Sequence, residues 1–211
     1  AGRSELMHSL FGITRPSSGT LIAQGNVVSL KSPADAIDAG IVYLPEERGK
    51  QGVILDWPIF ENISLPSLQS TSKNGFLQLA KEFALARKYA ERLDLRAASF
   101  SQNAGTLSGG NQQKVVIAKW LAMEPNVIIL DEPTKGIDIG SKAAVHSFMG
   151  ELVSEGLSVI MVSSEIPEVM GMSDRIVVMR EGRIVNIFKN DDDLTAEMLI
   201  RTAAGIEDSV A

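Results

Sequence analysis

Apolar residues come along this chain in two rhythms that take turns. Short runs at 41–44, 127–130 and 158–162 have no polar residue at every second position, so they predict strands covered on both faces. Between them, apolar positions recur at helical spacing. Residues 4–11, 111–123, 141–154 and 194–204 predict helices, and Phe76, Leu79, Ala80, Phe83, Ala84 and Tyr89 predict another over 76–95. Ser32-Pro33-Ala34-Asp35 is a capping signature with proline at the first helical position, opening a helix that Gly40 closes. Residues 20–24 and 27–30 predict a hairpin across Gly25-Asn26, and 175–179 with 183–188 a second over Glu181-Gly182.

Helices alternating with short apolar strands give an α/β fold: a parallel core sheet covered on both faces, plus a small antiparallel β element. The stretch from about 58 to 123 lacks a convincing strand and reads as a helical lobe inserted into the sheet domain. Within it, the polar, breaker-rich residues 64–75 predict an exposed connection. Residues 1–211 together read as one domain with that lobe.

Composition narrows the function classes. The chain has 211 residues, 45% hydrophobic and 22% charged, which is ordinary for a globular protein with a sizeable core. A net charge of −6 argues against a nucleic-acid partner, whose footprint would be basic. Lys119, Asp131 and Glu155 interrupt every candidate membrane span, so a membrane role would run through a partner protein. The apolar stretch 6–13 is short, broken by His8 and Ser9, and poorly flanked for a signal peptide. There is no cysteine, which excludes disulfides and thiolate metal sites and fits a reducing cytoplasm.

Two stretches carry candidate chemistry. Leu107-Ser108-Gly109-Gly110-Asn111-Gln112-Gln113-Lys114 places two glycines at the mouth of a helix behind a natural N-cap residue, Ser108. Such a mouth offers a phosphate free backbone N–H groups and the positive end of a helix dipole. Taken alone, it reads as a flexible turn before an ordinary amphipathic helix. Further on, the apolar run 127–130 ends in Asp131-Glu132-Pro133. Ligands of open α/β sheets bind beyond the carboxyl ends of the strands. A lone acid there would be a helix cap, but two in a row suit a metal-bound nucleotide: Asp131 to hold Mg²⁺ through water, Glu132 to polarise the attacking water.

Together these stretches resemble the ATP-binding cassette family. Residues 107–114 look like its signature loop, 127–132 like its second Walker motif, and Gly136-Ile137-Asp138 like its D-loop. The wording LSGGNQQK with DEPTKGID is similar to the second, C-terminal cassette in the ATPase subunits of bacterial monosaccharide importers (the ribose, galactose, xylose and autoinducer-2 type), where two cassettes share one polypeptide. The resemblance implies a P-loop NTPase-like cassette whose helical lobe carries the signature loop, with ATP and Mg²⁺ as cofactors. Each nucleotide would lie between one cassette's phosphate loop and the other's signature loop.

The departures from that family's pattern matter as much as the matches. A phosphate loop reads GxxxxGK[ST] after a strand. Here Gly2-Arg3-Ser4 stands at its end, with Arg3 at the lysine and Ser4 at the magnesium hydroxyl. A planar guanidinium does not replace a point-like ammonium in a tight glycine cradle. Glu46 stands where the family has a glutamine, and Ser164 where it has a switch histidine. The chain's own histidines, His8 and His146, fall inside predicted helices and read as packing or surface residues.

The resemblance therefore implies two unequal roles. Ser108, Gly109 and Gly110 would serve ATP held by the first cassette of the same polypeptide, and Asp138 of the D-loop would also bind nucleotide. Gly2, Arg3, Ser4, Glu46, Asp131, Glu132 and Ser164 would form a second site that binds nucleotide but turns over poorly. It also implies a chain cut between the two cassettes or just inside the second. The setting would be the cytoplasmic face of the inner membrane, beside permease subunits and, indirectly, a periplasmic sugar-binding protein. The loop 51–60 lies where the family grips its permease, although Trp57 and Phe60 read equally as core. A catalytically silent nucleotide-binding module, or a soluble cassette of the translation or DNA-repair type, are the rival readings.

Overall fold

The computed structural model describes residues 2–47, 51–137 and 139–206. The three apolar runs become β3 (Ile41–Leu44), β6 (Val127–Asp131) and β7 (Ser158–Val162), which form one parallel sheet in the order β3-β6-β7. Tyr43 stands opposite Ile129, and Asp131 opposite Val162. The remaining strands make antiparallel ribbons: β1 (Leu21–Ala23) with β2 (Asn26–Val28), β4 (Ser72–Lys73) with β5 (Phe76–Leu77), and β8 (Arg175–Arg180) with β9 (Arg183–Lys189).

Alternation along the strands sorts the core into two layers. Val42, Leu44, Ile128 and Leu130 pack on one face against α3 (Ile59–Ser64), α5 (Leu79–Arg92) and α6 (Gly109–Leu121). Ile41, Tyr43 and Ile129 pack on the other against α1 (Arg3–Leu10) and α2 (Pro33–Asp38). The capping signature works as read: Ser32 Oγ accepts from the Asp35 amide at 3.4 Å, while the Asp35 carboxylate accepts from the Lys31 amide at 2.8 Å. Beyond the short α4 (Leu68–Thr71), the chain continues through α7 (Ile139–Ser154), α8 (Ile166–Met172) and α9 (Ala196–Ala204).

Four expectations need correction. The first hairpin turns over Gln24-Gly25, one residue early, because both take positive φ (51° and 76°), as a two-residue turn matching strand twist requires. Residues 64–75 are not an exposed connection. They coil into short helices and the β4–β5 ribbon, with Ser64, Ser67 and Thr71 buried and the Ser64 hydroxyl donating to buried Glu82 at 2.7 Å. The following helix begins only at Leu79, so Phe76 lies in the ribbon and is 79% exposed. Finally, β7 is only partly covered: Ile160 keeps 36% exposure, since β7 is paired on one side alone among the described residues.

Candidate functional site

The parallel sheet brings its carboxyl ends together, and the predicted acids stand there. Asp131 is the last residue of β6 and is 2% exposed. Its Oδ2 accepts from the Tyr43 hydroxyl of the neighbouring strand at 3.0 Å, whereas Oδ1 is buried without a partner among the described residues. Burial, reinforced by the Asp131 charge, pushes the Tyr43 phenol well above its ordinary range, so it remains a donor. An orphaned buried carboxylate oxygen beyond a strand end is the kind of group a cation-bound water would satisfy. No cluster of three or more His, Cys, Asp or Glu residues lies among the described residues.

Glu132 follows with φ 50°, a left-handed backbone unusual for a side-chain-bearing residue. Its amide donates to the Val162 carbonyl at 2.8 Å, which turns the carboxylate over the end of β7. There the Ser164 hydroxyl donates to Glu132 Oε2 at 3.1 Å, and the Arg3 guanidinium lies 3.7 Å from Oε1. The same guanidinium donates to the Ser163 carbonyl at 2.7 Å. Arg3, Glu132 and Ser164 thus form one cluster.

Gly2 and Ser4 flank Arg3 at the start of α1. Gly2 takes φ 86°, and a Cβ on it would come within 2.7 Å of Gly182 Cα, so the backbone there passes close to the β8–β9 turn. Glu46 joins from outside: its carboxylate pairs with Lys135 Nζ at 2.5 Å. That bond, with smaller help from Glu132 and Asp131, raises the Lys135 ammonium above its ordinary value. Asp138 lies outside the described residues.

The glycine-led helix α6 is separate. Ser108 caps it, its hydroxyl accepting from Asn111 Nδ2 at 3.2 Å and from the Asn111 amide at 3.5 Å. Among the described residues, no hydrogen bond or ion pair joins Ser108, Gly109 or Gly110 to Arg3, Asp131, Glu132 or Ser164. A Cβ on Gly110 would meet nothing within 4 Å, so packing inside the chain does not require glycine there. A cleft of about 560 Å³ opens beside it, with Arg96, Lys114, Phe148 and Glu151 among its walls. One link crosses between the regions: the Gln113 amide of α6 donates to the Pro133 carbonyl, just past Glu132.

Phe60 is core, stacked on Phe83 with ring centroids 4.1 Å apart, whereas Trp57 is 41% exposed beside half-exposed Ile54 and Leu55. Asn62, buried, fixes their loop through bonds to Ile54 N and to the carbonyls of Ile54, Trp57 and Pro58. His8 packs edge-on against Tyr43, and His146 faces Glu168 at 2.7 Å. Sequence reasoning missed Tyr43, Gln113, Lys135 and Asn62. Tyr43 alone left a signal, a polar atom in an otherwise apolar strand.

The sequence family described as ABC transporter matches residues 1–135. The ribose import ATP-binding protein RbsA 1 of Rhizobium meliloti is 70% identical over 207 residues, 98% of this chain and 41% of its own length. The ribose import ATP-binding protein RbsA of Roseobacter denitrificans is 69% identical over 206 residues, 98% of this chain and 40% of its own length. The chain therefore spans about two fifths of these curated relatives. Among solved structures, a dimeric ATP-binding cassette in a post-hydrolysis state with ADP and Pi superposes with TM-score 0.75 at 20% identity, covering 90% of this chain and 81% of that one. A nucleotide-free ATP-binding cassette from an ABC transporter gives 0.74 at 20% identity, covering 97% and 80%. At such identity the likeness is one of fold.

Proposed function

The chain belongs to the ABC transporter family, and on that premise we propose that it is one nucleotide-binding cassette of a two-cassette importer ATPase, with ribose, the sugar in its relatives' names, as the cargo. The single observation that carries the reading is Asp131: a carboxylate at the end of a buried parallel strand, with one oxygen held by Tyr43 and the other left for a ligand. Asp131 through water and the Ser4 hydroxyl would hold Mg²⁺, which when bound neutralises phosphate charge. Glu132 would orient water, with Ser164 holding its other oxygen. Gly2 and Arg3 would face the phosphates.

In this reading the cassette has two unequal duties. Ser108, Gly109 and Gly110, with Asp138, close on ATP held by the first cassette of the same polypeptide. The relatives' greater length supports the existence of that first cassette. Open space at Gly110 supports the outward role, because a glycine that packing does not demand leaves room for something from outside. The cassette's own site is poor in catalysis. Arg3 is engaged with Glu132 and the Ser163 carbonyl, and this contact favours a site that binds nucleotide without rapid turnover.

The segment about 58–123 serves as the signature-bearing lobe. The loop carrying Ile54, Leu55 and Trp57 is its docking surface for permease subunits, through which the assembly meets a periplasmic sugar-binding protein. No helix of the described residues is long and apolar enough to cross a membrane. Contact with the permease would hold the cassette at the cytoplasmic face, and a net charge of −6 disfavours a nucleic-acid partner. The test is calorimetric titration of the fused protein with ATP, with and without Mg²⁺. Asp131→Asn should abolish the magnesium-dependent gain at this site; an unchanged gain would refute the assignment.

A further inference from the structure

Behind the site lies a buried carboxylate that none of the motifs contains. Glu168, in the first turn of α8, keeps 4% of its side chain exposed. Its Oε2 accepts from the Ser163 hydroxyl at 2.5 Å, and its Oε1 faces His146 Nε2 of α7 at 2.7 Å. Burial works to raise this carboxyl, but hydrogen bonds, led by those from Ser163 and His146, outweigh it and hold the group below its ordinary value.

The partners matter because of what adjoins them. Ser163 precedes Ser164, whose hydroxyl reaches Glu132, and its own carbonyl receives Arg3. The Ser163 hydroxyl oxygen also accepts from the Glu165 amide at 3.0 Å, which fixes the shape of the turn. A buried acid is a weak way to gain stability, since apolar replacements often serve as well. This one ties the turn after β7, which carries Ser164, to α7.

We propose that Glu168 is a positioning residue: it clamps the turn after β7 to α7 and so sets the contact between Ser164 and Glu132. The proposal rests on the reading of Glu132 and Ser164 as nucleotide-facing. A tie of this kind is cooperative, because each bond fixes the donor that makes the next.

The test uses the fused protein with its first nucleotide site disabled, and the variants Glu168→Gln, Ser163→Ala and Ser163→Thr. Two quantities are read: hydrogen exchange at the Glu165 amide, and MgATP affinity at this site. Glu168→Gln and Ser163→Ala should each speed exchange at Glu165 by about tenfold and weaken MgATP by a similar factor. Exchange inside β6 and the melting temperature should stay near wild type. Ser163→Thr, which keeps the hydroxyl, should match wild type in both. Unchanged exchange at Glu165 would overturn the proposal. So would faster exchange spread through β6 and β7, which is general loosening, or faster local exchange with unaltered affinity. A wild-type protein that takes up no MgATP here would instead overturn the functional reading, and exchange alone would then decide the clamp.

Discussion

Arg3 lies across Glu132: one guanidinium nitrogen is 3.7 Å from the carboxylate and another donates to the Ser163 carbonyl at 2.7 Å. In the proposed reading, the cation meant for a terminal phosphate is satisfied by the protein's own groups, and the acid meant to orient water is shared with it. Sequence alone attributes the proposed poor turnover to the residue types at positions 3, 46 and 164. The structure adds that Arg3 has a competing partner.

That partner makes single repairs ineffective. Ser164→His would supply the imidazole, yet Arg3 would still occupy Glu132, and Glu46 would still be drawn to Lys135 at 2.5 Å. Groups acting as a unit do not recover one at a time. In the fused protein with its first site disabled, single-turnover hydrolysis by Ser164→His should stay within about threefold of its parent. A rise of orders of magnitude would show that the second site lacks one group only.

The loop proposed to dock the permease should depend on Asn62. That side chain is 2% exposed and serves Ile54, Trp57 and Pro58 at once. Asn62→Ala leaves those backbone groups without partners, at a cost of about 2–3 kcal/mol. In a chain of this size the melting temperature should fall by roughly 5–10 °C. Proteolysis between Ile54 and Pro58 should rise together with loss of permease co-purification. Thermal melts and limited digestion test this, and an unmoved melting temperature would mean that the loop is held otherwise.

Lys119 gives the fold a pH signature. Burial pushes its ammonium down to about 8, and its amine donates to the Gly52 carbonyl. Below pH 8 folded and unfolded chains both carry the proton, and the folded one bears a constant desolvation penalty. Between about 8 and 10.5 the unfolded chain still holds a proton that the folded chain has shed, so this residue makes stability rise with pH across that window. The rise is on the order of 3 kcal/mol. Lys119→Met should remove it, which denaturant melts at pH 7 and pH 10 would read as a smaller difference than in the parent. Parallel pH dependence in the two proteins would contradict the assignment.

What was legible in the sequence follows the range of the forces involved. Residues 41–44 and 127–130 announce covered strands because their apolar character is local, and they pair in parallel as the alternating pattern implies. Asp131 and Glu132 stand out because two charges end an apolar run. The polar composition of residues 64–75 suggests an exposed connection because it does not show that Ser64, Ser67 and Thr71 are satisfied in the interior, Ser64 on Glu82 among them. Phe76 was counted into a helical stripe that starts after it, since spacing cannot say where a ribbon ends. Tyr43 on Asp131, Gln113 on Pro133 and His146 on Glu168 are contacts between elements distant in sequence. Side chains of those types leave no local trace of such partners.

The central claim, that this chain completes a nucleotide site on another cassette, turns on Gly110. A Cβ there meets nothing within 4 Å, so Gly110→Asp should leave the fold and its melting temperature intact. In the assembled transporter the new carboxylate would face the terminal phosphate of the ATP held by the first cassette, where like charges repel in a partly desolvated gap. The measurement is steady-state ATPase activity of the reconstituted fused protein carrying Gly110→Asp. The account predicts near-complete loss of turnover with an unchanged melting temperature; near-normal turnover would contradict it.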